Sequence, residues 1–159
     1  ITEGTVGVEN LNIRGGYCFT GSNFFRKFCP GLDLGYDSFG VLGFKNNSSL
    51  ELKKVSGMVY GPSLFLQAPL ISSILFEGRV GYLMGSGSGG SAELAAKKNT
   101  LFYGQGAFVM PLSEKRSWQL GALYTSRTST LEGTKGSNTD TWENLAESLY
   151  FRFGYNFEF

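Results

Sequence analysis

The 159-residue chain has no histidine at all, only two cysteines and only four prolines. Without histidine, every mechanism loses its commonest general base and metal ligand. Long apolar runs are missing too: no stretch approaches the roughly 20 consecutive residues that a membrane helix needs. Charge is scarce and balanced, with 17% charged residues and a net charge of +1, so no strong field steers nucleic acid toward the chain. The opening ITEGTVGVEN lacks a basic stretch followed by an apolar one, which reads as a sequence whose export signal has been removed. No metal motif, phosphate-cradling loop or nucleotide fingerprint is present, and no cofactor is expected.

What is present is apolar and aromatic, in a particular order. Hydrophobic residues make up 42% and aromatics 15%, with 23 glycines. That mixture suits many strands, tight bends and aromatic contacts with an interface. Alternation with a period of two dominates and argues for strands. It is clearest at the end, where Leu149, Phe151, Phe153, Tyr155, Phe157 and Phe159 share one face and Ser148, Tyr150, Arg152, Gly154, Asn156 and Glu158 the other. Trp118, Leu120, Ala122 and Tyr124 alternate in the same way with Gln119, Gly121, Thr125 and Arg127. Ile74, Phe76, Val80, Tyr82 and Met84 oppose Glu77, Arg79 and Gly81. Such alternation permits a membrane protein without helices, because a closed barrel pairs its backbone between strands.

Register follows from the turns. A hairpin around Asn46–Ser48 sets Phe44 against Leu50, Leu42 against Leu52, Tyr36 against Met58 and Leu34 against Tyr60. A turn near Ala68–Ser72 would set Leu66 against Ile74, Leu64 against Phe76 and Tyr60 against Val80. Phe102, Phe108, Met110 and Leu112 are placed outward, with Gly106 near Tyr124, where an aromatic ring can cover a strand glycine. Short connections are expected at Thr20–Asn23, Ala68–Ser72 and Ser113–Ser117. Longer ones are expected at Lys45–Ser49, Gly85–Asn99 and Ser129–Glu143. The GSGSGGS tract at Gly85–Ser91 is a flexible loop, natural or engineered.

The beginning of the chain admits two readings. One runs a strand through Leu11, Ile13, Gly15, Tyr17 and Phe19, turns at Thr20–Asn23 and continues through Phe24, Phe28, Leu32 and Leu34. It leaves too little chain for another full strand before it, so a strand would be missing or supplied by another polypeptide. The other places a tight hairpin at Arg14–Gly16, with strands of about 5–13 and 17–28 and a bulge between Val8 and Leu11. Cys18 and Cys29 are candidates for a disulfide. A bridge conflicts with the second reading, which would hold both along one strand, far beyond bridging distance.

The charges fall opposite the apolar rows. Asp33, Asp37, Glu77, Arg79, Arg127 and Arg152 are the candidate interior network. An arginine facing lipid at mid-membrane costs roughly 2–4 kcal/mol, whereas opposite charges can pair across a narrow lumen. The expected fold is therefore all-β: one domain over residues 1–159, an antiparallel up-and-down transmembrane β-barrel of eight strands. Its lumen is filled by side chains and is read as a plug of ion pairs, not a pore. Tyr36, Tyr60, Tyr82 and Tyr124 mark one aromatic belt, and Trp118, Phe157 and Phe159 the other.

The last ten residues, YFRFGYNFEF, carry Phe151, Phe153, Tyr155, Phe157 and Phe159 at alternate positions. They resemble the terminal-strand signature of bacterial outer-membrane proteins, which the barrel-assembly machinery reads. Segments such as GGYCFTGSNFF and VMPLSEKRSWQLGALY resemble the strand–turn–strand units of small opacity-type and outer-membrane protein A/X-like barrels. The resemblance implies a Gram-negative outer membrane, with the lipid bilayer and lipopolysaccharide as surroundings.

The function expected is non-enzymatic: a barrel displaying loops for envelope structure, adhesion or partner binding. Lys97, Lys98, Lys135 and Trp142, with Asp140 and Glu143 nearby, are the candidate loop contacts. Three alternatives stand beside it. A subunit of a larger outer-membrane complex follows from the missing strand. A lipid-modifying or proteolytic enzyme has Ser126, Ser129 and Asp140 but no histidine to activate a nucleophile. A soluble lipocalin-like carrier needs the inverse polarity, apolar inside and polar outside.

Overall fold

The computed structural model describes residues 11–21, 25–45, 49–71, 73–89, 94–113, 116–135 and 138–157. They form β1 (Leu11–Gly16), β2 (Phe19–Thr20), β3 (Lys27–Lys45), β4 (Ser49–Ile71), β5 (Ile74–Gly89), β6 (Leu94–Ser113), β7 (Arg116–Lys135) and β8 (Asn138–Phe157). All eight belong to one antiparallel up-and-down sheet, in the order β1-β3-β4-β5-β6-β7-β8, with β2 also on β3.

β1 and β2 lie in line along β3, Gly16 opposite Gly31 and Phe19 opposite Phe28. The interruption has a chemical cause. Tyr17 donates its N–H to the Pro30 carbonyl (3.2 Å), and Pro30 has no N–H to return. The next pair, Cys18 and Cys29, is therefore a closely spaced, non-hydrogen-bonded one, with Cα atoms 4.1 Å apart, and it is bridged by a disulfide. The first sequence reading is the one the chain adopts. The hairpin at Arg14–Gly16 does not form, because those residues continue β1 along β3. The bulge expected between Val8 and Leu11 lies outside the described residues.

The β3–β4 register matches expectation from Phe44–Leu50 to Leu34–Tyr60. The β4–β5 register does not: Leu64 faces Val80, Leu66 faces Gly78 and Tyr60 faces Met84. The sequence placed the turn too early, since the strands run on to Ile71 and Ile74. The error is an even number of residues, so each side chain keeps its face. Likewise Tyr124 pairs with Gly104, not Gly106, and the ring nearest Gly106 is Phe76.

The largest departure concerns the long connections. Gly85–Asn99 and Ser129–Glu143 are strand for most of their length, leaving 90–93 and 136–137 between the paired ends. Within the glycine-serine tract, Gly85–Gly89 belongs to β5. A one-residue bulge in β6 at Lys97 shifts the register against both neighbours. Below it Asn99, Tyr103 and Ala107 face inward; above it Leu94 and Ala96 do, while Lys97 and Lys98 both stay exposed. An unbroken alternation would have turned Lys97 into the core.

The sheet is curled. Asp37 on β3 and Arg127 on β7 meet directly although three strands lie between them. Across a barrel of about this many strands those positions stand nearly opposite each other, at a width that side chains can just span. Among the described residues no backbone hydrogen bonds join β1 to β8. Both edges run the same way, because β1 and β2 share one wall and the sheet has an odd number of walls.

Candidate functional site

The enclosed face contains two carboxylate clusters, stacked along β3. Asp33 accepts from Arg14 Nε (2.7 Å) and Nη2 (2.9 Å), from Ser63 Oγ (2.8 Å) and from the Tyr103 hydroxyl. Arg14 Nη2 also donates to that hydroxyl (2.8 Å), so β1, β3, β4 and β6 are tied at one level. Gly81, opposite Tyr103, makes room for the ring: an added Cβ would lie 2.4 Å from Tyr103 Cε1. Four residues further along β3, Asp37 accepts from Arg127 Nε (2.9 Å) and Nη2 (2.5 Å) and from Asn99 Nδ2 (3.0 Å). Ser129 Oγ donates to Asn99 Oδ1 (2.9 Å), and the Arg127 guanidinium lies 4.5 Å from the Phe39 ring centre.

Apolar side chains pack around these clusters. Val59, Leu83 and Tyr103 form one group, with Leu101 and Leu123 against it. Beyond Asp37, Phe39, Val41, Val55, Leu94, Ala96 and Leu131 close the interior toward the 46–48, 90–93 and 136–137 end. Below Asp33, toward the opposite end, lies a cavity of about 460 Å³ lined by Arg14, Lys27, Glu77, Arg79, Gln105 and the bridged cysteines, among others.

Of the six expected interior charges, Asp33, Asp37 and Arg127 are the ones seen in ion pairs. Glu77 and Arg79 instead line the cavity, and Glu77 accepts from Gln67 Nε2 (2.8 Å). Arg152 is exposed, on the edge strand β8, beside which no further strand pairs among the described residues. Arg14, Ser63, Asn99, Tyr103 and Ser129 were missed. Arg14 fell in the disputed first hairpin, and Ser129 and Asn99 in segments read as loops. Tyr103 carried a usable signal, since it shares the inward phase of Gln105.

The terminal aromatic row is on the outer face, with Phe151 80% and Phe153 71% exposed; Phe153 and Tyr155 pack on Trp118. The side chain of Phe157, and Phe159 altogether, lie outside what is described. Tyr36, Tyr60, Tyr82 and Tyr124 are all exposed. The expected loop contacts are on strands. Lys97 pairs with Glu132 (3.2 Å), Trp142 stands opposite Leu131, and Lys135 is the last residue of β7. Comparison with protein-family models, with curated proteins and with solved structures finds no match to this chain.

Proposed function

We propose that the chain is the membrane-spanning wall of a bacterial outer-membrane β-barrel, catalysing no reaction, whose extended strands stand above the bilayer and meet an envelope or surface partner. The observation that carries this reading is a reversal of polarity along the strands. On β7 the outward residues are Trp118, Leu120, Ala122 and Tyr124, then Ser126, Thr128 and Thr130. On β5, exposed Val80, Tyr82 and Met84 give way to exposed Ser86 and Ser88. The six long strands run 16 to 23 residues. About 9–11 tilted residues cross a bilayer, so roughly half of each strand is left outside it. An outer apolar band backed by ion pairs is costly in water and favourable in lipid, where it would meet hydrocarbon and lipopolysaccharide acyl chains. The same band counts against a lipocalin-like carrier. The non-enzymatic part rests on the missing histidine, and labelled lipopolysaccharide recovered with unaltered acyl chains is the expected result.

The membrane reading is tested with nitroxide labels at Leu120 and Thr128 in lipid vesicles. Oxygen should relax the first more strongly, and a water-soluble nickel chelate the second. Equal water contact at both sites in folded protein would refute the proposal.

A second reading, a barrel completed by one strand beyond those described, from another polypeptide or from another part of this one, is favoured by the parallel edges. Direct pairing of β1 with β8 would be parallel, whereas one added strand makes every pair antiparallel. Intact mass of the folded assembly, taken beside its heat-modifiability on a gel, separates a single chain from a chain with a partner.

A further inference from the structure

The cavity below Asp33 has a cationic lining with donors to spare. Its ceiling is the Arg14–Asp33–Tyr103 cluster, in which the carboxylate engages Arg14 twice. Glu77 accepts from the Gln67 amide. Arg79 and Lys27, which also line the cavity, form no ion pair with a described residue. Arg79 Nε is shielded from solvent and has no hydrogen-bond partner among the described residues. A buried donor left unpaired costs about 1–3 kcal/mol, so an acceptor in the cavity toward which the Arg79 side chain turns its Nε is favoured. Gln105 adds an amide, and Phe65 and Gly78 supply an apolar wall. The wall at Cys18 and Cys29 is fixed by their bridge.

We infer that this cavity is a binding site for a phosphate monoester with a small organic body. Arginine and lysine together match a phosphate group, one by directed N–H donors and the other as a compact charge. The volume falls within the range of small-molecule sites, about 300–1,000 Å³, and exceeds what bare phosphate requires. The side chains stacked above, from Asp33 through Asp37 to the apolar group around Leu131, fill the interior between the cavity and the 46–48, 90–93 and 136–137 end. The inference needs the curled sheet but not the membrane reading.

The test follows the Arg79 Nε–H resonance by NMR, using folded protein in a phosphate-free detergent. The probes are glycerol 3-phosphate, inorganic phosphate and glycerol. Glycerol 3-phosphate should shift the resonance saturably, phosphate more weakly and glycerol not at all. Arg79→Gln, followed by calorimetry, and Lys27→Gln should each weaken binding about tenfold, the loss expected for one charge-assisted contact. Arg79→Lys should recover part of it, and Lys97→Gln, at the far end, should change nothing. Nanodiscs with anionic phospholipid form a second arm: a resonance already shifted before addition identifies a lipid headgroup as the source, and an unshifted one a free ester. No saturable shift, or equal weakening by Lys97→Gln, would overturn the inference. Unchanged heat-modifiability of each variant separates lost binding from lost folding.

Discussion

The two ends of the same strands have opposite insides. Toward the 22–24, 72 and 114–115 end, the outer face is Leu, Phe, Tyr and Met, and the interior holds Asp33, Asp37, Arg14, Arg127 and the hydroxyls and amides that serve them. Toward the 46–48, 90–93 and 136–137 end, serines, threonines and lysines face outward and Phe39, Val41, Val55, Leu94, Ala96 and Leu131 are buried. The first arrangement suits hydrocarbon and the second suits water. One continuous sheet thus carries two solvent preferences, and the Asp37–Arg127 pair stands near the changeover. The boundary is written mainly in side chains: the sheet continues through it from β3 to β8, with the bulge at Lys97 as its local adjustment of the backbone.

Breaking the changeover should have the largest effect. Asp37→Ala leaves Arg127 without its carboxylate in a site where the arginine side chain is only 14% exposed. An uncompensated buried charge costs about 3–5 kcal/mol, seen as a matching fall in unfolding free energy from urea titration in detergent or vesicles. Asp37→Ala with Arg127→Leu should recover much of that loss, because the stranded charge is gone. In the upper region, Leu131→Ala empties a fully buried position and should cost about 2–5 kcal/mol. If that variant loses less than about 1 kcal/mol, the apolar group is not a packed core. The Cys18–Cys29 bridge closes a short loop, with a sequence separation of 11 residues. Replacing both by serine should cost about 3 kcal/mol on the chain-entropy estimate, and this change should leave the Asp37 cluster intact.

The sequence made the faces legible before the registers. Alternation fixes which side of a strand a residue occupies, so Asp33, Asp37 and Arg127 are found inside and Leu120 and Phe153 outside. It does not fix where a hairpin turns: Pro69, Leu70 and Ile71 read as turn yet continue β4, shifting the register by an even step that no face reveals. Glycine and serine at Gly85–Gly89 read as loop, because composition reports weak propensity and not the ladder that neighbouring strands impose. The bulge at Lys97 was invisible for a related reason. It is the device that reconciles an inward phase at Asn99 with one at Ala96, and only the partner strands reveal which phase each half must take. Arg152 shows the converse limit: its face was read correctly, but whether that face is covered depends on what lies beyond β8. Arg79 was placed inside, yet that its Nε meets no hydrogen-bond partner among the described residues is a property of three dimensions only.

Setting one strand and one face against itself sharpens the comparison most. Leu120 and Thr128 both point outward on β7, four positions of the same phase apart along the chain. In vesicles, Leu120→Arg should cost about 2–4 kcal/mol if Leu120 sits at the bilayer midplane and less toward its edge. Thr128→Arg should stay within about 0.5 kcal/mol, as a surface substitution does. Lys97→Ala, which removes the pair with Glu132 (3.2 Å), should be no larger, because both partners remain in contact with water and such pairs contribute about 0–1 kcal/mol. Raising the salt concentration should erase even that difference by screening, while leaving the cost at Leu120 unchanged, since desolvating a guanidinium in hydrocarbon does not depend on ions in the water. A Leu120→Arg penalty that fell with salt would mean the arginine is meeting other surface charges in water, and the polarity reversal would then have lost its lipid side.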